Sequence, residues 1–198
     1  MFFFDVANLL PILIVILVSF KFGYIPMWLS FFMGIFAFTP FFLNYVLFSP
    51  SYMPDQWQYY YFVQNVRSFE FNDLAESVPV EVASWIYSFI PLPYVETIQS
   101  LGFFNRLIVT VLIIWLYASK NLRGWPLLFL IFYPSLLLYS SLSLRDTLVM
   151  LFMVLSVILF IENRRLLAII ISLPLVLIKF QNFFLLLVFF VAHLYFSR

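Results

Sequence analysis

Two short charged motifs in an otherwise apolar chain are the first candidates for chemistry. Asp55 and Tyr59 lie one helical turn apart, just after Pro54, where a helix can begin, so their side chains share one face. A carboxylate that accepts hydrogen bonds from hydroxyls, beside a ring that stacks on a pyranose face, suits a sugar ligand. The alternative is that Asp55 caps the helix and that Tyr59 belongs to an aromatic belt at a membrane surface.

The second motif is the adjacent pair Arg145 and Asp146, which stands between two apolar segments. An ionisable pair in such a position is a functional-site hypothesis by default. Arginine stays charged in apolar surroundings and binds phosphate through two parallel hydrogen bonds, so the diphosphate head group of a lipid is the anion that we expect. The alternative is a simple turn, in which Arg145 snorkels to the surface and Asp146 caps the next helix.

Three further polar residues complete the candidate site. Lys179 and Gln181 lie in a later polar break, and Arg106 lies near the start of an apolar segment. Each also has an ordinary explanation, namely a solvated turn for the first two and an interfacial arginine for the third. The catalytic candidates are Asp55, as base or substrate-orienting acid, and Arg145; the substrate-binding candidates are Tyr59, Arg106, Asp146, Lys179 and Gln181.

The composition around these motifs is typical of a membrane protein. Of the 198 residues, 65% are hydrophobic and 10% are charged, whereas a soluble domain is roughly half apolar and about a quarter charged. A chain this apolar cannot bury its surface in a water-soluble core, so the lipid bilayer is its first expected partner. The net charge of +1 and the lack of a basic stripe argue against nucleic acid as a partner.

Residue counts limit the chemistry further. The chain has no cysteine and one histidine, which excludes disulfides, thiolate metal sites and cysteine nucleophiles and leaves no ordinary histidine metal site. Glycine is scarce, with four residues, and no glycine-rich phosphate loop occurs. We therefore expect no metal, no bound nucleotide and no other cofactor.

Apolar runs predict an all-α polytopic membrane protein, with one membrane domain over 1–198 and about seven (six to eight) transmembrane or re-entrant helices. The expected helices are at about 7–20, 25–48, 104–119, 125–144, 147–161, 166–178 and 183–197. The first run lacks the basic start and small-residue cleavage site of a signal peptide, so we expect a retained helix. Because a span needs about 20 residues, segment 166–178 is short. Either the membrane is thinned there, or Lys179 lies below the outer surface, or 166–197 forms one re-entrant hairpin.

The charge distribution predicts an orientation. Segment 49–103 carries most of the acids together with many aromatic residues, so we place it at the outer face as an interfacial segment of short helices. The N-terminus is then outside and the C-terminus inside. The basic residues that fall inside, as the positive-inside rule requires, are Lys21, Lys120, Arg123, Arg164, Arg165 and Arg198. The candidates that share the outer side are Asp55, Arg106, Arg145 and Lys179.

The motifs resemble those of a bacterial enzyme group. An outer Asp-x-x-x-Tyr (Asp55, Tyr59), followed by Tyr-Pro-Ser (133–135) and Ser-x-x-x-Arg-Asp (141–146), is similar to the EpsG-like and Wzy-type O-antigen polymerases, which are bacterial polysaccharide polymerases. The resemblance implies a glycosyltransferase of the inner (cytoplasmic) membrane, which transfers a growing glycan between undecaprenyl-diphosphate carriers at the periplasmic or extracellular face. It also implies that Arg145 holds the diphosphate. Members of that group are longer, so the expected forms are a truncated enzyme, a half that works with a partner, or a descendant without catalysis.

Two other classes of function stay open. A non-enzymatic subunit of a membrane protein complex fits a short, phenylalanine-rich chain, and it predicts that Arg145 and Lys179 point apart and that a large apolar face is left for partner subunits. A small transporter or flippase needs polar residues along a route across the bilayer, and few lie at mid-depth. The enzyme hypothesis predicts instead that Asp55, Arg145 and Lys179 converge on one outward cavity.

Overall fold

The computed structural model describes residues 2–44, 46–49, 52–70, 77–89 and 94–196, with side chains from Asp5 onward. Helix accounts for 78% and no strand occurs in these ranges, so the predicted all-α class is confirmed. The helices are α1 (Phe2–Lys21), α2 (Met27–Phe36), α3 (Thr39–Leu43), α4 (Asp55–Ser68), α5 (Val78–Ser88), α6 (Ile98–Ala118), α7 (Trp125–Phe132), α8 (Pro134–Tyr139), α9 (Asp146–Ile161), α10 (Arg165–Ser172), α11 (Pro174–Ile178) and α12 (Phe180–Phe196).

Helix α6 is the centre of the fold, and α1, α3, α4, α7 and α9 all pack against it. Among the described residues it is the one helix that is both long and apolar enough to cross a membrane, with 21 residues and a mean hydropathy of 1.8, and 67% of its apolar window is buried inside the protein. It begins at Ile98 and not at the predicted 104, because Thr97 caps it: Thr97 Oγ1 accepts a hydrogen bond from the Gln99 amide at 3.2 Å.

Prolines divide two of the predicted helices. Helix 25–48 is wrong as a single element: Pro40 lacks the N–H that would bind the Phe36 carbonyl, and Thr39 Oγ1 donates to that carbonyl at 2.7 Å instead. Helix 125–144 is wrong as well, because Tyr133 is extended (φ −66°, ψ 114°), as proline requires of the residue before it. The chain is then irregular from the end of α8 to the start of α9.

The last part of the chain follows the prediction more closely. Helix α9 confirms the prediction of 147–161 to within one residue. Segment 166–178 forms α10 and α11, which meet at Pro174, and Lys179 ends α11 with φ −158° and ψ 81°. Helix α12 then begins at Phe180, before the predicted start at 183.

The acidic segment 49–103 contains two short helices, α4 and α5, as expected. Helix α4 begins at Asp55, but the N-cap position is held by Pro54, and the N-cap position of α9 is held by Arg145, in both cases without a side-chain cap hydrogen bond. Neither Asp55 nor Asp146 therefore caps its helix, which removes one of the ordinary explanations for each residue.

Three helices begin at the same end of the molecule. The Asp5 carboxylate in the first turn of α1 accepts hydrogen bonds from Thr97 Oγ1 at 2.8 Å and from Ser100 Oγ at 3.0 Å, at the start of α6, where the helix dipole favours an anion. The turn that precedes α9 lies against the first two turns of α6. Helices α1, α6 and α9 therefore run parallel to one another.

Gly102 in α6 allows this turn to approach. A Cβ at this position would clash with the carbonyl oxygen of Ser141 and would lie 3.0 Å from its carbonyl carbon. We expect Gly102→Ala to lower the free energy of unfolding by about 1–3 kcal/mol, the usual cost of overpacking. Thermal unfolding in detergent measures the change.

Gly34→Ala in α2 is the matched control, because nothing lies within 4 Å of its added Cβ. It replaces glycine in a helix interior and should raise stability by about 0.5–1 kcal/mol. Equal effects of the two substitutions would contradict the close packing of the turn on α6.

Candidate functional site

The site is built on the turn of residues 140–145 between α8 and α9. Asn105 of α6 donates through Nδ2 to the carbonyls of Leu142 at 2.6 Å and Leu144 at 2.8 Å. The Tyr87 hydroxyl of α5 donates to the Leu144 carbonyl at 2.7 Å, and Ser143 Oγ donates to the Ile98 carbonyl. An unsatisfied buried polar group costs about 1–3 kcal/mol, so these side chains fix the backbone that leads into Arg145.

A layer of buried amides extends this support to α4. Gln56 Oε1 accepts a hydrogen bond from the Ser143 amide at 3.0 Å and lies 3.3 Å from Asn44 Nδ2. Gln99 Nε2 in turn donates to the Asn44 carbonyl at 3.0 Å. The sequence analysis missed Gln56, Tyr87 and Asn105 as positioning residues; the available signal was Asn105, an amide side chain in a helix too apolar to solvate it.

The charged residues meet where this turn enters α9. Lys179 Nζ lies 3.0 Å from Asp146 Oδ1, and the two side chains are 37% and 38% exposed. The ion pair joins two predicted site residues that are 33 positions apart. Arg145 is half-buried, and its guanidinium has no ion-pair or hydrogen-bond partner among the described residues. Asp146 is therefore neutralised by Lys179, and Arg145 keeps a free positive charge.

Tyr59 lies within the field of this charged group. It is 3% exposed, and burial raises the pKa of its phenol to about 12, with smaller effects from Arg145, which lowers it, and from Asp146 and Asp55, which raise it. Its hydroxyl therefore stays protonated at neutral pH and can donate a hydrogen bond. Arg145, Asp146 and Asp55 therefore each lie within electrostatic range of the Tyr59 phenol.

Two other candidates occupy the margin of this group. Asp55 is exposed in the first turn of α4, where it can reach a ligand that approaches from solvent. Gln181 is exposed in the first turn of α12 and makes no hydrogen bond to the described residues. Its neighbour Asn182 points inward, with Nδ2 2.9 Å from Met153 Sδ.

Arg106 supports the turn from below and is not part of the charged group. It is 4% exposed, its NH1 donates to Ser140 Oγ at 2.7 Å, and its guanidinium carbon lies 5.6 Å from the ring centroid of Phe36. Its Nε is buried without a hydrogen-bond partner, and no described carboxylate pairs with it. Its contacts indicate a positioning role beneath the turn.

A groove with a volume of about 360 Å³ adjoins Asp146. It exists because the chain bends at Tyr133 and Pro134, where α7 ends and α8 begins beside α9. Its walls are almost entirely apolar, and Asp146, Thr147 and Ser135 contribute its polar residues. Among the described residues, no group of three or more histidine, aspartate and glutamate side chains could hold a metal ion.

No protein-family model, no curated protein and no solved structure matches the chain. The resemblance to the polysaccharide polymerases therefore stays a prediction from the motifs.

The raised pKa of Tyr59 has a measurable consequence for stability. Because the folded protein holds this proton up to a pH of about 12 and the unfolded chain loses it near pH 10, stability falls as the pH rises through this window. We expect Tyr59→Phe to remove about 1 kcal/mol of this alkaline loss by pH 11, since one pH unit above the unfolded pKa corresponds to about 1.4 kcal/mol. Unfolding midpoints between pH 9 and pH 11, in the same detergent, provide the measurement.

Tyr61→Phe on the same helix is the control, because Tyr61 is 56% exposed. This variant should lose stability with rising pH as the unmodified protein does. If Tyr59→Phe also lost as much stability with rising pH as the unmodified protein, Tyr59 would not be buried in the way described.

Proposed function

We propose that the chain is a polytopic membrane protein that binds lipid-linked sugars at its outer face and transfers a glycan from a lipid diphosphate. The membrane assignment is supported by the large apolar side chains on the outward faces of the helices, since a soluble protein rarely exposes such a surface. Examples are Leu17, Phe31, Phe129 and Val191, at 62%, 63%, 68% and 67% exposure. The 20 residues of α1 and the 21 of α6 each span about 30 Å.

The positions at which α1, α6 and α9 begin and end support the predicted orientation, in which the acidic segment faces outward. Helices α1, α6 and α9 begin at the end that carries the acidic segment with α4 and α5. They finish beside Lys21, Lys120 and Arg164, which are then cytoplasmic in agreement with the positive-inside rule.

The short spans favour a position of the charged group below the outer boundary of the membrane. Helix α9 has 16 residues and reaches about 24 Å, compared with about 31 Å for α6. Lys179 follows the even shorter Arg165–Ile178 and meets Asp146 at the start of α9. This favours the alternative in which Lys179 lies below the outer surface.

One observation carries the proposed ligand: Arg145 has no partner among the described residues, while its neighbour Asp146 is already paired with Lys179. The three side chains together have one net positive charge. A guanidinium held in partly apolar surroundings binds phosphate oxygens strongly, because little water competes for it. A diphosphate head group fits this arrangement, and the exposed Asp55 carboxylate suits a sugar hydroxyl, whereas the Tyr59 ring is buried and is not available to stack on a sugar.

The proposed reaction uses these residues as follows. An acceptor hydroxyl loses its proton to the Asp55 carboxylate and forms a bond to the anomeric carbon of the donor sugar. The bond between that carbon and the diphosphate oxygen breaks, and its electron pair stays on the diphosphate. Arg145 stabilises the charge that develops there.

A non-enzymatic subunit is the second candidate, and one observation favours it. Helix α12 packs on α9 and α11 and leaves its opposite face open, with Phe184, Val188 and Tyr195 at 57%, 52% and 76% exposure. A subunit of a membrane complex would use such a face. The enzyme hypothesis expects Arg145 and Lys179 to face one cavity, and the contact of Lys179 with Asp146, the residue that follows Arg145, is compatible with that expectation.

Loss of Arg145 should weaken lipid diphosphate binding. Hydrogen bonds to charged groups contribute about 1.5–3 kcal/mol, so we expect Arg145→Ala to weaken the binding of geranylgeranyl diphosphate by about 10- to 100-fold. Arg145→Lys keeps the charge but loses the bidentate geometry and should fall between. Equilibrium binding to the purified chain in detergent measures both.

Arg164→Ala is the matched control, because Arg164 is an exposed arginine at the opposite end of α9. It should leave the affinity unchanged. An equal loss in both alanine variants would mean that only the overall positive charge attracts the ligand, and would contradict a site at Arg145.

The orientation can be tested directly, because the chain has no cysteine. Ser68→Cys and Glu162→Cys each introduce one thiol at an exposed position, the first in the acidic segment and the second after α9. In intact cells, a membrane-impermeant maleimide should label the first and not the second. Labelling of both, or of Glu162→Cys alone, would contradict the topology.

A further inference from the structure

We propose that the buried guanidinium of Arg106 binds one small monovalent inorganic anion, for which chloride is the representative ion, inside the protein. The bound ion lies where α2, α6 and the turn of residues 140–145 meet. It neutralises a charge that the fold itself leaves unpaired, and it makes the stability of this region depend on the anion in the medium.

The burial of Arg106 is the first support. Its side chain is 4% exposed, and it projects from α6 about 12 Å along the helix axis from Ile98. Taking a charged group out of water costs so much free energy that buried charges in proteins are paired. An arginine within a membrane segment likewise pairs with an acid or with backbone carbonyls.

The contacts of Arg106 do not balance its charge. One terminal nitrogen donates to Ser140 Oγ at 2.7 Å, Nε is buried without a hydrogen-bond partner, and no carboxylate among the described residues pairs with the guanidinium. The Phe36 ring, with its centroid 5.6 Å from the guanidinium carbon, stabilises the charge but leaves the remaining N–H donors without an acceptor. The missing partner is therefore an anion that the described side chains do not provide.

Asp5 offers an internal comparison, because it is the other buried charged side chain among the described residues. Its carboxylate accepts hydrogen bonds from Thr97 Oγ1 and Ser100 Oγ, at the start of α6, where the helix dipole favours an anion. The fold thus stabilises its buried carboxylate fully, whereas it leaves its buried guanidinium incomplete.

The surroundings of Arg106 select a small ion with a single charge. The enclosed guanidinium leaves little room, and an ion the size of a water molecule needs only about 30 Å³, which small shifts of the neighbouring side chains provide. A diphosphate is several times larger and brings surplus negative charge into an apolar interior. Water satisfies N–H groups but leaves the positive charge unbalanced.

The test measures chloride binding and the stability that it provides. The full chain is purified in a non-ionic detergent, and sodium gluconate replaces chloride at constant ionic strength, so that general screening stays the same. Chloride is then titrated back, with ³⁵Cl NMR line broadening as the measure of binding and the unfolding temperature as the measure of stability. Arg106→Met removes the charge, Arg164→Ala is the exposed control, and Arg145→Ala separates this site from the proposed diphosphate site.

We expect the unfolding temperature of the unmodified chain to rise by about 3–10 °C when chloride reaches about 10 to 100 times its dissociation constant. Arg106→Met should show neither line broadening nor this rise, while Arg164→Ala and Arg145→Ala should show both. Saturating inorganic pyrophosphate should not displace the chloride. If Arg106→Met does not fold, Arg106→Lys takes its place; it keeps the charge but loses the planar fork, and should bind chloride about three- to tenfold more weakly.

Three results would overturn the inference. The first is the absence of any chloride effect in the unmodified chain, which would mean that water alone surrounds the guanidinium. The second is an unchanged chloride effect in the Arg106 variants. The third is its loss in Arg145→Ala or its suppression by pyrophosphate, which would place the chloride at the diphosphate site.

Discussion

The irregular backbone of residues 140–145 imposes the constraint on which the rest of the site depends. This turn lies against the first two turns of α6, in a part of the molecule too apolar for water to satisfy its amides and carbonyls. Asn105, Tyr87 and Gln56 provide the missing partners. Because Tyr87 and Gln56 come from α5 and α4, these two helices cover the turn and allow it to remain irregular in the protein interior.

The same constraint decides how the charges are distributed. The turn holds Asp146 where Lys179 can pair with it, and it leaves Arg145 beside that pair with a free guanidinium. Arg106 lies beneath the turn, where its guanidinium contacts Ser140 and Phe36. Two cations, Arg106 and Arg145, therefore adjoin the turn, and the carboxylate of Asp146 is already paired with Lys179. An anion is the ligand that this arrangement favours electrostatically.

The fold class and several elements could be predicted from the sequence, because apolar length and composition determine them. Helix α9, the start of α4 at Asp55 and the short helices α4 and α5 of segment 49–103 follow from such patterns. The breaks at Pro40 and Pro134 were missed because an apolar run continues through each proline. The early start of α6 was missed because Gln99 and Ser100 resemble loop residues until their buried partners are known. Arg106 was assigned to the ligand site from its side of the membrane, whereas its contacts, over 34 positions to Ser140, depend on tertiary packing.

The most direct test is a solid-state NMR measurement of dipolar coupling between phosphorus and arginine nitrogen. The sample is the chain labelled with ¹⁵N at its arginine guanidinium groups, reconstituted in lipid bilayers and bound to geranylgeranyl diphosphate. We expect a ³¹P–¹⁵N coupling that disappears in Arg145→Lys, because the guanidinium of Arg145 is the group that contacts the phosphate. A coupling that persists in Arg145→Lys, so that Arg106 or another arginine holds the anion, would contradict the central claim.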